Sequence, residues 1–233
     1  MRFEVVRARL ASLPDPLPQP PAALAPLLVA GPTGQLGLPP APPGGAMRTG
    51  AVLVLLYPDA EGMARVVLTE RPAGDLRHAG EVSFPGGVLE DDDASPAEAA
   101  LREAREEVGL DAAQAGVRLV GELGPVEVRV TGFRILPVLA MAERAPRLVP
   151  DPREVAAILE PPVASFVPPA PIELVEDDRG GWRLRYGAYP VAGYRIWGAT
   201  ARILGQLGAV IAAAGRGGSS DPALESSAPD VSR

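Results

Sequence analysis

The chain has 233 residues, 47% of them apolar, and a formal net charge of −7. That is enough for one good-sized domain with its own core, and the acidic balance argues against a generic grip on nucleic acid, which needs clustered cations to displace phosphate counterions. There is no Cys, Lys or Asn, which removes disulfides, thiolate metal sites, a Cys nucleophile, Schiff-base lysines and a P-loop lysine from consideration.

No segment reaches the roughly 18 continuous apolar residues of a membrane span. The apolar run at 22–30 is short and broken by Pro26. No compact apolar segment with a cleavage site follows the N-terminus, so a cytoplasmic protein with no membrane partner is expected.

Residues 1–45 read as an N-terminal arm: a possible short amphipathic helix at 2–13, then a stretch rich in Pro, Gly and Ala. Residues 46–214 carry a compact α/β pattern. Strands are expected at 51–57 and 65–70, joined by a hairpin turn at 58–62. A helix follows at 97–108, then strands at 117–122, 126–130 and 135–142. A short element at 154–159 stops before Pro161. Further strands at 182–186 and 194–197 precede a helix at 200–213, with Ile203, Leu204, Leu207, Val210 and Ile211 on one face. Residues 215–233 are Gly, Ser, Pro and Asp with little to bury, and a disordered tail is expected there. The order of elements predicts a mixed sheet covered by helices in one domain.

The best-specified element is SPAEAALREAREEVG at 95–109. Ser95 and Glu98 have capping-box spacing, Pro96 suits the first helical position, and Gly109 falls where a left-handed C-terminal cap belongs. Wound at 3.6 residues per turn, Ala97, Ala100, Leu101, Ala104 and Val108 make an apolar stripe. Glu103, Glu106 and Glu107 gather on the other side at i, i+3 and i+4, where like charges repel. A solvated face with Arg102 and Arg105 as partners is one reading. The other is a hard divalent cation held among the carboxylates, since Mg²⁺ or Mn²⁺ prefers oxygen ligands.

The preceding loop decides between them. Ser83-Phe84-Pro85-Gly86-Gly87 places two glycines ahead of an acidic loop, Glu90, Asp91, Asp92 and Asp93, and such glycines allow close backbone approach. Diglycine, acidic loop and a capped helix bearing Arg102, Glu103, Glu106, Glu107 and Gly109 together resemble the Nudix box. Counted back from Arg102, the box's first Glu slot falls on Ala94 and its Gly slot on Val88, so this loop is longer and aspartate-rich. Upstream, VLTERPAGDLRHAGEVSFPGG at 67–87 resembles the signature of the branch of Nudix hydrolases that cleaves coenzyme A. The match lies at Leu68, Thr69, Arg71, Gly80, Phe84, Pro85, Gly86 and Gly87, with the basic-patch Arg shifted to Arg77.

That resemblance implies a Nudix-like α/β/α sandwich around a mixed sheet. It implies a pyrophosphohydrolase using Mg²⁺ or Mn²⁺ on a coenzyme A-type small-molecule substrate, as a monomer or homodimer. Glu103, Glu106, Glu107 and the Gly86 carbonyl would ligate metal, and Arg102 would orient a glutamate. Glu106 or Glu154 would act as base, and Arg71, Arg77 and Gly87 would contact substrate. Surface pairing of Arg71 or Arg77 with Glu70 or Asp75 is the alternative for the arginines. His78 reads as a surface residue, and Tyr194 and Trp197 as core. Two rivals stay open: a Nudix hydrolase of ADP-ribose or NADH, and a Nudix-like module that binds nucleotide without cleaving it.

Overall fold

The computed structural model describes residues 1–30, 47–73, 80–128, 131–179 and 182–216. In chain order the elements are α1 (Phe3–Arg9), β1 (Leu27–Ala30), β2 (Arg48–Pro58), β3 (Ala64–Val66), β4 (Leu68–Glu70), β5 (Val82–Ser83) and β6 (Gly86–Val88). Then come α2 (Pro96–Val108), α3 (Ala112–Ala115), β7 (Val117–Glu122), β8 (Val126–Val128) and β9 (Phe133–Ala142). The chain ends with β10 (Ala157–Leu159), β11 (Glu173–Arg179), β12 (Trp182–Val191), β13 (Tyr194–Ile196) and α4 (Gly198–Arg216).

The central sheet runs β3-β2-β9-β7, with β6 also on β2 and β8 also on β9. Strands β2 and β9 are parallel, and the other pairs are antiparallel. The inner stretches of both long strands, 51–57 and 135–142, are apolar because both their faces are covered. On one face Ala51, Leu53, Leu55 and Tyr57 of β2 and Val138, Ala140 and Ala142 of β9 pack with Ala99, Ala100, Ala104 and Val108 of α2. On the other, Val54, Leu56, Leu139 and Met141 pack with Ile203, Leu204, Leu207, Val210 and Ile211 of α4. The period-2 alternation of β2 thus feeds two cores, and the expected α/β/α sandwich around a mixed sheet is formed.

Several elements depart from the expectation. The strand expected at 65–70 is two strands: β3 pairs with β2, while β4 leaves to pair with β5 and β10. Val67, the residue between them, still donates its N–H to Leu55. The element expected at 154–159 is a strand only from Ala157, because Glu154 and Val155 are tied in a turn to the Asp151 carbonyl. The polar strand β11 was not foreseen. It pairs along β12, which forms a sheet with β1 and β13.

The first thirty residues, read above as an arm, enter the main core. Phe3, Val6, Leu10 and Leu24 are buried in the cluster that holds α4. Gln206 of α4 fastens the intervening irregular chain: its Nε2 donates to the Pro18 carbonyl at 3.2 Å, and its Oε1 accepts the Gly124 N–H at 2.7 Å. At the other end, Gly215 and Arg216, expected in the tail, complete α4.

Candidate metal and active site

The site is built where α2 crosses β6. Helix α2 begins as its sequence dictates: Ser95 Oγ accepts the Glu98 N–H at 3.2 Å, and Glu98 Oε2 accepts the Ala94 N–H at 2.9 Å. Gly109 closes it in the left-handed conformation, φ 64°. The last turn's carbonyls are taken up by the following loop, with Val149 donating to Val108 at 2.9 Å and Asp151 donating to Glu107 at 2.8 Å. These bonds satisfy orphan acceptors of the helix end and bring the segment carrying Glu154 alongside the helix.

The diglycine is required by close approach. Strand β6 pairs with β2 in the register Val52 to Gly86 and Ala51 to Gly87. A Cβ on Gly86 would lie 2.3 Å from the Ala51 carbonyl oxygen, and one on Gly87 would lie 2.2 Å from Glu103 Oε1. The glycines therefore let α2 settle its carboxylates directly onto the β6 backbone.

Glu107, expected on the side of α2 away from the apolar stripe, is instead buried, at 8% exposure. It lies at the edge of the stripe, next to Val108, and its Oε2 accepts the Gly86 N–H at 3.3 Å. Burial pushes its pKa up to about 7, opposed by the Gly86 N–H and the positive charge of Arg71 and reinforced by Glu103 and Glu154. Burial likewise raises Glu103, with the Arg102 hydrogen bond pulling the other way. Glu106, one step around the helix, is half-exposed.

Arg102 organises the rim. Its Nε and Nη2 donate to the two oxygens of Asp93, each at 3.1 Å, and Nη2 also donates to the Val88 carbonyl at 3.3 Å. Nη1 donates to Glu103 Oε1 at 3.0 Å and to Glu106 Oε2 at 3.3 Å. The Asp93 side chain is only 4% exposed, although nothing in the acidic run 90–93 singles it out. The Arg102 hydrogen bond holds its carboxyl below the ordinary range.

The charges of Arg71, Glu103 and Glu154 all act on Glu107, and that of Glu154 also acts on Glu103. Arg71 is exposed and anchored through its backbone, donating to Glu81 and accepting from Gly80. Glu154 is exposed. Arg77 and His78 lie outside the described residues. Tyr194 donates to Glu70 Oε2 at 2.8 Å, and Trp197 packs on Tyr186 with ring centroids 4.9 Å apart. Both aromatics are thereby engaged within the fold.

Among the described residues, no three carboxylate or imidazole side chains are drawn together around one point. Glu103 and Glu106 turn to Arg102, and Glu107 turns to the Gly86 N–H. The donor chemistry nevertheless suits a hard divalent cation: three carboxylates on one helix face, two of them largely removed from water, with no soft ligand nearby.

The NUDIX domain model matches residues 47–179. The chain is 37% identical over 160 residues to a protein named "Uncharacterized Nudix hydrolase NudL" from Cronobacter sakazakii, a match covering 69% of this chain and 81% of the relative. It is 34% identical over 163 residues to the mitochondrial Nudix hydrolase 15 of Arabidopsis thaliana, covering 67% of this chain and 56% of that one. Among solved structures, the Nudix hydrolase RenU from M. smegmatis aligns with a TM-score of 0.43 at 25% identity, over 59% of this chain and 80% of that one. The domain match spans more than half of the chain, and its relatives share more than a third of their aligned residues with it: this protein belongs to the Nudix hydrolase family.

Proposed function

We propose that this Nudix hydrolase cleaves the diphosphate bond of coenzyme A or its acyl derivatives, using Mg²⁺ or Mn²⁺, to give 3′,5′-ADP and the 4′-phosphopantetheine half. The observation that carries the reading is the packing of Glu103 and Glu107 onto the diglycine strand, with the Arg71 charge acting on Glu107. Two carboxylates held out of water beside a backbone turn have no purpose in a solvated helix face.

In this reading Glu103, Glu106, Glu107 and the Gly86 carbonyl hold the metal. When bound, the metal neutralises charge on the diphosphate and its leaving oxygen. Arg102 keeps Glu103 and Glu106 from turning to solvent. Water is deprotonated by Glu106 or Glu154, the two exposed carboxylates at the rim. Arg71, with Arg77, takes the substrate's 3′-phosphate, since a guanidinium can donate two parallel hydrogen bonds to phosphate oxygens. The signature around 67–87 and the position of Arg71 favour coenzyme A over ADP-ribose or NADH. Retention of all three glutamates favours catalysis over binding alone.

The test is product identification after incubation with Mg²⁺ or Mn²⁺ and coenzyme A, dephospho-coenzyme A, NADH or ADP-ribose. Release of 3′,5′-ADP from coenzyme A at the highest kcat/KM of the panel is the expected result. Faster cleavage of ADP-ribose or NADH would move the substrate assignment. No cleavage of any member would favour the binding module.

A further inference from the structure

The Arg102 guanidinium turns its Nε–Nη2 edge to Asp93, in a two-point contact of 3.1 Å per arm, and Nη2 also donates to the Val88 carbonyl at 3.3 Å. Only Nη1 is left for the glutamates, and it is shared between Glu103 and Glu106. The bridged Asp93 side chain is nearly inaccessible, whereas its neighbours Asp91 and Asp92 are both exposed and make no bond to α2 among those described. Its second tie runs within the loop, where Asp93 Oδ2 accepts the Glu90 N–H at 2.8 Å. The acidic loop is thus folded around one carboxylate whose partner is the arginine beside the metal-facing glutamates. Ala94, where the Nudix box carries its first glutamate, has no carboxylate to offer, and Asp93 stands next to it.

The geometry points to Asp93 as a positioning residue for the metal site, acting through Arg102. This rests on the reading of Glu103, Glu106 and Glu107 as metal ligands. Two physical effects have the same sign. Asp93 occupies the two-pronged edge of the guanidinium, so that edge cannot form a bidentate pair with Glu103 or Glu106 and withdraw both of its oxygens from a cation. Asp93 also neutralises the arginine charge, leaving the three glutamates with their full attraction for a divalent ion. Without Asp93, Arg102 would rotate its free edge onto the nearest carboxylate and compete with the metal as its counter-charge.

The test uses the full chain as Asp93→Asn, Asp93→Ala and Asp93→Glu, the Arg102→Ala variant, and the Asp93→Ala/Arg102→Ala double variant. Mn²⁺ dissociation constants are measured from the electron paramagnetic resonance signal of free Mn²⁺, and circular dichroism checks that each variant folds. Kinetics on the substrate found in the panel are run at limiting and at saturating Mn²⁺. Loss of an outer partner of a metal ligand weakens metal binding by about ten- to a hundredfold. A Kd increase of about tenfold is expected for Asp93→Asn and Asp93→Ala, with most of the turnover recovered at saturating Mn²⁺. Asp93→Glu should recover much of the affinity, because it restores the charge. In the Arg102→Ala background, removing Asp93 should add less than about twofold, since the two act through one contact.

Unchanged Mn²⁺ affinity in both neutral variants would overturn the inference. So would a loss of turnover that saturating Mn²⁺ does not relieve, which would mark Asp93 as a loop-folding residue only. Equal effects of Asp93→Ala with and without Arg102 would also overturn it. A wild type that binds no Mn²⁺ at this site would instead sink the metal reading on which the inference stands.

Discussion

Glu107→Gln separates what the fold tolerates from what the chemistry needs. In the folded chain the Glu107 carboxyl holds its proton up to about pH 7, mainly because burial removes it from water; in the unfolded chain a glutamate loses its proton near 4.3. Between those values the native state binds more protons than the unfolded state. Stability therefore falls as pH rises through this window and stays lowered above it. Each tenfold difference in proton affinity corresponds to ~1.4 kcal/mol, so ionised Glu107 costs the metal-free fold about 4 kcal/mol at pH 8. Glutamine has the same shape, carries no charge and keeps an oxygen for the Gly86 N–H.

Metal-free Glu107→Gln should accordingly melt above wild type at pH 8. At roughly 2–4 °C per kcal/mol for a chain of this size, the upper limit is roughly 8–16 °C. The two midpoints should draw together as pH falls toward 5, because the native carboxyl is then protonated and the unfolded one is approaching its own pKa. The assay is thermal unfolding by circular dichroism from pH 5 to 8 in EDTA, repeated with excess Mg²⁺. Mg²⁺ should raise the wild-type midpoint at pH 8 more than that of the variant, since ligation stabilises only the native state. A midpoint difference that does not change with pH would refute the desolvation argument. A difference that changes with pH but ignores Mg²⁺ would leave a buried carboxylate that is not a metal ligand.

Glu106→Gln should lower kcat by at least about a hundredfold and weaken Mn²⁺ binding, whereas Glu154→Gln should lower kcat without altering Mn²⁺ affinity if it is the base; the kcat and Mn²⁺ titrations distinguish them. Gly87→Ala places a methyl within 2.2 Å of the present Glu103 Oε1 position, so Glu103 must move, and a drop in Mn²⁺ affinity with little loss of helicity is expected by titration and circular dichroism. Deleting residues 1–25 removes the buried Phe3, Val6, Leu10 and Leu24; at ~1.5–3 kcal/mol each this rivals the ~5–15 kcal/mol that holds a domain together, so an unfolded or aggregating product is expected in expression and melting assays. Arg71→Ala combined with Arg77→Ala should reduce kcat/KM for coenzyme A by roughly ten- to a hundredfold and that for dephospho-coenzyme A much less; equal losses would assign the arginines to the diphosphate or the fold.

Helix α2 was legible because everything that specifies it is local. Ser95, Pro96 and Gly109 mark its ends, and the alanine stripe marks its inner face. The central sheet was legible for a similar reason, since β2 and β9 carry the unbroken apolar runs 51–57 and 135–142. What failed depended on approach distances that no local pattern encodes. Glu107 sits beside the stripe at helical spacing, and only the pairing of β6 with β2 brings a backbone close enough to bury it. Asp93 is one of three successive aspartates, and nothing in that run singles out the one that turns back to Arg102 nine residues on. In the N-terminal segment Phe3, Val6 and Leu10 share a helical face at i, i+3 and i+7, so a short helix was legible; its docking on the core was not, and Leu24 lies in Pro-rich chain with no periodicity to mark it. Strand β11 is polar and lacks the apolar signature of a strand, whereas its partner β12 was legible in part, at 182–186, and buries Tyr186, Ala188 and Tyr189.

The same contacts that make the site hard to read also make it costly to the fold. Gly86 and Gly87 bring α2 close, the closeness excludes water, and the exclusion leaves Glu103 and Glu107 short of solvation. The protein's own counter-charges are distributed unevenly against this deficit. Arg102 reaches Glu103 and Glu106 but not Glu107, and Arg71 acts on Glu107 only from a distance. Glu107 is therefore the carboxylate with most to gain from a cation and least to lose in protein contacts, since its one hydrogen bond to Gly86 is long. Natural proteins tend to hold such unfavourable charge where function requires it, and substitutions that relieve it raise stability at the expense of activity. On that argument Glu107→Gln should be among the few single substitutions in this chain that raise the metal-free melting point and abolish turnover together.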